Sequence, residues 1–145
     1  IMYRKVLLAY DGSEAGRQAL LECADIQHLL QAELYIVAVA PPANAIYLSE
    51  GFMPANVQED ETRYFDNVLN EGLQMLSGRG IRATGQVVTG EPVEEICRKA
   101  NEIKADLIVV GHRRQGSWLE RWWRGSIGAS LIERSPCSLL VAIGK

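Results

Sequence analysis

The chain has 145 residues, of which 48% are hydrophobic and 23% charged, with a formal net charge of −3. That composition excludes a disordered chain, and with no apolar run near the ~18 residues of a spanning segment it also excludes a bundle of membrane helices. One domain over residues 1–145 is the expectation from length, large enough for a core without covalent staples.

The first apolar run, "RKVLLAY" (4–10), is short and nearly continuous, as in a strand buried on both faces. No cleavage pattern precedes it, which points to a cytoplasmic protein. "DGS" stops the run, and Ser13 is placed to cap a helix over about 14–30. That helix carries Ala15, Ala19, Leu20, Cys23, Ile26, Gln27 and Leu30 at helical spacing. "ELYIVAVA" (33–40) is a second buried strand, ended by Pro41-Pro42, and residues 41–53 have no period and read as a loop.

A helix over about 55–77 places Val57, Tyr64, Phe65, Val68, Leu69, Gly72, Leu73 and Leu76 along one face, and Gly78 and Gly80 end it. "IRATGQVVT" (81–89) is a less apolar strand, expected near an edge. Gly90-Glu91-Pro92 opens a helix whose buried stripe is Val93, Ile96, Cys97, Ala100 and Ile103. "ADLIVVG" (105–111) is the most apolar strand and is expected at the centre of the sheet. Ser126 to about Arg134 reads as a short helix, and "CSLLVAIG" (137–144) as the last strand. Cys23, Cys97 and Cys137 each sit in an apolar pattern without metal-ligand spacing, so all three read as reduced core thiols.

Strands alternating with helices imply a single doubly wound, five-stranded parallel sheet with helices on both faces. Ligands of such sheets bind beyond the carboxyl ends of the strands, where the strand order reverses. If the first and fourth strands are neighbours, Asp11 and Gly111 stand together at that crevice.

The chain resembles the universal stress protein family over essentially its whole length. The resemblance rests on "VLLAYDGSE", "IVAVA", "TGEPVEEI", "ADLIVVGHR" and "GSIGASLIERSPCSLLVA", in that order. It implies strand order 3-2-1-4-5 and, in nucleotide-binding members, a glycine motif that holds ATP: Gly, two residues, Gly, nine residues, then Gly followed by Ser or Thr. Gly111 and Gly125-Ser126 match its ends; Arg114 stands at the second glycine, and the segment is one residue longer than the motif. Gly116 is positioned to supply flexibility after a shifted turn. The resemblance also assigns Asp11 to the adenosine part of the nucleotide and the Val39 backbone to the adenine base.

The chemistry of the motif stands on its own physics. Glycines allow backbone N–H groups to approach phosphate oxygens, and Gly125-Ser126 lies at a helix start, where orphan amides and the dipole favour an anion. Arg113 and Arg114 add charge-assisted donors, and His112 sits within reach of the same crevice. A plain helix cap is the competing reading of Gly125-Ser126, and turn chemistry that of Asp11.

Residues 112–124 hold four arginines and one glutamate, leaving the remainder at −6, so the positive field is local and a nucleic-acid partner is not expected. Trp118, Trp122 and Trp123 in that segment suit a protein contact, local packing or, less well, base stacking. His28 is expected on an exposed helix face. No catalytic constellation and no GxxxxGK[ST] motif occurs. The resemblance implies a regulator that binds ATP, or AMP or ADP, with magnesium accompanying a triphosphate, and that forms a homodimer through its last strand. A dimeric relative that has lost nucleotide binding and a slow ATPase are the alternatives.

Overall fold

The structure, a computed structural model, describes residues 3–41, 57–112 and 131–143. Along these run β1 (Lys5–Ala9), α1 (Glu14–Leu30), β2 (Glu33–Ala40), α2 (Val57–Ser77), β3 (Ala83–Thr89), α3 (Pro92–Ile103), β4 (Leu107–His112) and β5 (Ser138–Ile143). Residues 131–134 are also helical. The strands form one parallel sheet in the order β3-β2-β1-β4-β5.

Alternation along β1 divides the core into two layers. Val6, Leu8 and Tyr10 pack with Ala19, Leu20 and Cys23 of α1 and Phe65, Val68, Leu69 and Leu76 of α2. Leu7 and Ala9 face the other way, into Val93, Ile96, Cys97 and Ala100 of α3 and Leu131. Helices therefore cover both faces, which explains why β1 reads as an unbroken apolar run. At ~25 cal/mol per Å², burying a side chain such as Leu8 or Ile96 supplies roughly 1.5–3 kcal/mol each.

Local chemistry sets the helix boundaries. Ser13 is extended and its hydroxyl accepts from the Gly16 amide, capping α1, while Gln31 closes that helix in the left-handed region. Glu91 caps α3 by accepting from the Val93 and Glu94 amides at 3.2 and 2.8 Å, with Pro92 in the first turn.

Three details depart from the sequence reading. The middle of the sheet is β1, as the 3-2-1-4-5 order has it, and β4, expected at the centre from its apolarity, is interior but one place over; apolarity does not separate the two because both strands are almost wholly buried. Tyr64 is 57% exposed on α2, its ring edge-on to Phe65 at 5.0 Å instead of facing the core. Cys23 and Cys97 are buried as expected, but Cys137 is only partly so; burial raises all three thiol pKa values, and all three cysteines are free. β3 does lie at an edge, and His28 is exposed.

Candidate functional site

The order of strands reverses between β1 and β4, whose ladder ends at the pair Ala9–Val110. Tyr10 and Asp11 continue from one strand, and Gly111 and His112 from the other. All four thus reach the carboxyl edge of the sheet at one place, the crevice where open α/β sheets take ligands.

The turn from β1 into α1 needs its glycine. Gly12 has φ +80, and a Cβ there would meet the Val68 methyls of α2 at 3.2 and 3.3 Å. This turn folds Asp11 back over the helix start. Its Oδ1 accepts from the Ser13 amide at 3.0 Å and from the Ser13 hydroxyl at 2.6 Å. Asp11 is 6% exposed, and its Oδ2 is buried with no hydrogen-bond partner among the described residues. A buried carboxylate oxygen left without a donor is costly, of order 1–3 kcal/mol or more for a charged group. Gly16 makes the arrangement possible: a Cβ at that position would lie 2.8 Å from Asp11 Oδ1.

Gly111 belongs to the same cluster for a packing reason that its role in the glycine motif does not require. A Cβ on it would run into the Ala15 carbonyl oxygen and lie 2.8 Å from the Gly16 amide nitrogen. The end of β4 thus rests main chain to main chain against the first turn of α1. Asp11 and Gly111, a hundred positions apart, both abut that turn.

Val39 lies on β2, its side chain in the α3-facing core. The Val37 carbonyl, two residues earlier, accepts from the Tyr10 amide at 3.0 Å. Strand alternation turns the Val39 N–H and C=O to the same side, beyond the last residue of β1. They point to the β1 side of β2. His112 ends β4, half-buried, opposite Ile143 of β5.

Arg113, Arg114, Gly116, Gly125 and Ser126 lie outside the described residues, as do Trp118, Trp122 and Trp123. Of the residues singled out from sequence, Asp11, Val39, Gly111 and His112 are described, and Asp11 and Gly111 are set against the same first turn of α1. Ser13 and Gly16 were not among those candidates. The signal that could have found them is the spacing Asp11-x-Ser13-x-x-Gly16, an acceptor, a hydroxyl cap and a residue without a side chain over one turn. Among the described residues no group of three or more His, Cys, Asp or Glu is arranged to hold a metal ion, and no helix is long and apolar enough to cross a membrane.

Comparison with known proteins agrees with this architecture. The universal stress protein YxiE of Bacillus subtilis (strain 168) is 32% identical over 155 aligned positions, covering 97% of this chain and 99% of its own. A universal stress protein solved in complex with cAMP superposes with a TM-score of 0.70 at 25% identity, over 100% of both chains. A universal stress family protein from Burkholderia pseudomallei shares the fold with a TM-score of 0.75 at 24% identity, over 97% of this chain and 96% of its own. The family model described as "Universal stress protein family" matches residues 2–142. With the 3-2-1-4-5 sheet, that match over nearly the whole length places the chain in the universal stress protein family.

Proposed function

We propose that this single-domain protein is a stress-response regulator that binds an adenine nucleotide, ATP in the first instance, in the crevice beyond β1 and β4. The observation that carries the reading is the half-served carboxylate of Asp11, one oxygen accepting two hydrogen bonds from Ser13 and the other buried without a partner among the described residues. An ionised carboxylate only accepts, so what completes it must donate: a ribose hydroxyl or a base amino group, not a phosphate. The same geometry supports one polarity for the ligand. At the start of α1, where a phosphate could dock on orphan amides, the Gly16 amide is served by the Ser13 hydroxyl and the Asp11 carboxylate sits against that cap. The phosphates therefore extend the other way, toward the segment of Arg113, Arg114, Gly116 and Gly125-Ser126, with His112 at its root. Val39 offers its backbone donor and acceptor to the base edge. The cAMP complex of a 25%-identical relative supports the same ligand class.

Magnesium, where present, would be held by the triphosphate and water. Asp11 reads as a binding group, so the protein acts by binding in the cytoplasm and not as a fast enzyme. The test is equilibrium binding of labelled ATP, together with the release of adenosine phosphates when protein purified without nucleotide is denatured. Asp11→Ala should weaken ATP by about 10–100-fold, the equivalent of one charge-assisted hydrogen bond. Unchanged affinity in that variant would refute the site. Turnover that is absent in Asp11→Ala but present in the wild type would favour the slow ATPase.

A second reading concerns assembly. β5 is an outer strand whose Leu139, Leu140 and Val141 are only half-buried and whose Ile143 is 49% exposed. An apolar open edge calls for a cover, and a second copy pairing along β5 provides one. Arg114 and the longer segment favour a dimeric interaction protein without nucleotide, with Trp118, Trp122 and Trp123 as a partner surface, should ATP fail to bind.

A further inference from the structure

We propose that Ser13 is a positioning residue for the nucleotide, aiming Asp11 as well as capping α1; this rests on the reading of the crevice as an adenine-nucleotide site. The assignment of protons at Ser13 carries it. An amide N–H can only donate, so the Ser13 hydroxyl accepts from Gly16 at 3.0 Å. Its single proton is then available for Asp11 Oδ1, 2.6 Å away, a distance typical of a hydroxyl bonded to a charged oxygen. The Ser13 amide reaches the same oxygen at 3.0 Å. One residue thus fastens Oδ1 from two directions and fixes the plane of the carboxylate. The other oxygen, buried and without a described partner, is left in a single orientation before any ligand arrives. Such preorganisation raises affinity by removing a freedom that binding would otherwise have to freeze.

Capping and aiming ask for different residues, which makes the two roles separable. As helix caps, threonine and glycine are about equal, both somewhat below serine. As a donor to Asp11, threonine replaces serine and glycine does not. Ser13 has φ −70 and ψ 166, extended backbone that a β-branched residue adopts readily.

The experiment measures melting temperature and ATP affinity for wild type, Ser13→Thr and Ser13→Gly in the full chain. The two variants should melt within a few degrees of each other. ATP affinity should stay within about twofold of wild type in Ser13→Thr and fall about tenfold in Ser13→Gly. Ser13→Ala, which removes the hydroxyl without adding backbone freedom, should match glycine in affinity and stands in for it if the glycine variant does not fold. Equal affinities for the threonine variant and the variant lacking a hydroxyl, with the wild type binding ATP, would overturn the positioning role and leave the nucleotide site standing. A wild type that does not bind ATP would overturn both.

Discussion

The two ends of the sheet each carry an aspartate that accepts two hydrogen bonds, and they use it in opposite ways. At the amino end, Asp106 precedes β4 and its Oδ2 accepts from the Arg4 and Lys5 amides at 2.8 and 2.9 Å. Those bonds tie the start of β1 to the start of β4, in a place that water reaches, and they hold the Asp106 carboxyl below its usual pKa. At the carboxyl end, Asp11 is buried, bonded through one oxygen to the residue two positions on, and unserved at the other. The difference lies in what surrounds the second oxygen. A carboxylate that bonds two backbone amides within reach of water contributes to folding, whereas one buried with an oxygen unserved among the described residues is the feature on which the proposed nucleotide site rests.

Substitutions can break this contrast. The largest effect should come from Gly111→Ala, which puts a methyl where the Ala15 carbonyl lies; neither backbone can yield as a flexible side chain would. A loss of about 3 kcal/mol is expected, or ~6–12 °C in melting temperature, read by urea and thermal unfolding. Next comes an exchange of phenotypes between the aspartates. Asp11→Ala should change stability by no more than about 1 kcal/mol while costing nucleotide affinity. Asp106→Ala should lower stability and leave nucleotide affinity within about twofold of wild type.

A smaller effect is set by pH. Because the folded Asp106 carboxyl titrates below its unfolded counterpart, its contribution is complete above about pH 4 and is lost as pH falls through the folded pKa. Urea unfolding across pH 5 to 2 should therefore show a component of acid destabilisation that Asp106→Ala lacks. The smallest effect belongs to the Arg17–Glu71 pair, which joins α1 to α2 at 2.7 Å with both side chains nearly half exposed. Arg17→Ala should cost at most about 1 kcal/mol, and less as salt is added.

The fold was legible because each element carries its own punctuation. Ser13, Pro41, Gly78, Gly90-Glu91-Pro92 and Pro136 mark boundaries close to those observed, and the apolar period between them identifies strand or helix. The middle of the sheet came from the 3-2-1-4-5 order that the family resemblance implies and not from apolarity, since β1 and β4 are both almost wholly buried: once both faces are covered, a sequence run cannot rank interior strands. Tyr64 was misread because a helical stripe drawn from hydrophobicity includes aromatics at its margin, where an amphipathic ring can stay in water. Asp11 was visible as a candidate, but its burial and its unserved oxygen depend on Gly12 turning, Ser13 reaching back and Gly16 making room. Those are contacts between atoms, and no local pattern of polarity encodes them.

The packing of Gly111 on the Ala15 carbonyl bears on how this end of the sheet can diverge. The contact is made of peptide units from two segments distant in the chain, with no room for a side chain between them. Mutations that accumulate among surrounding side chains can alter the chemistry at this edge while the backbone junction keeps its shape. The junction itself tolerates no such drift: it holds provided one hydrogen atom at position 111 is never exchanged for carbon.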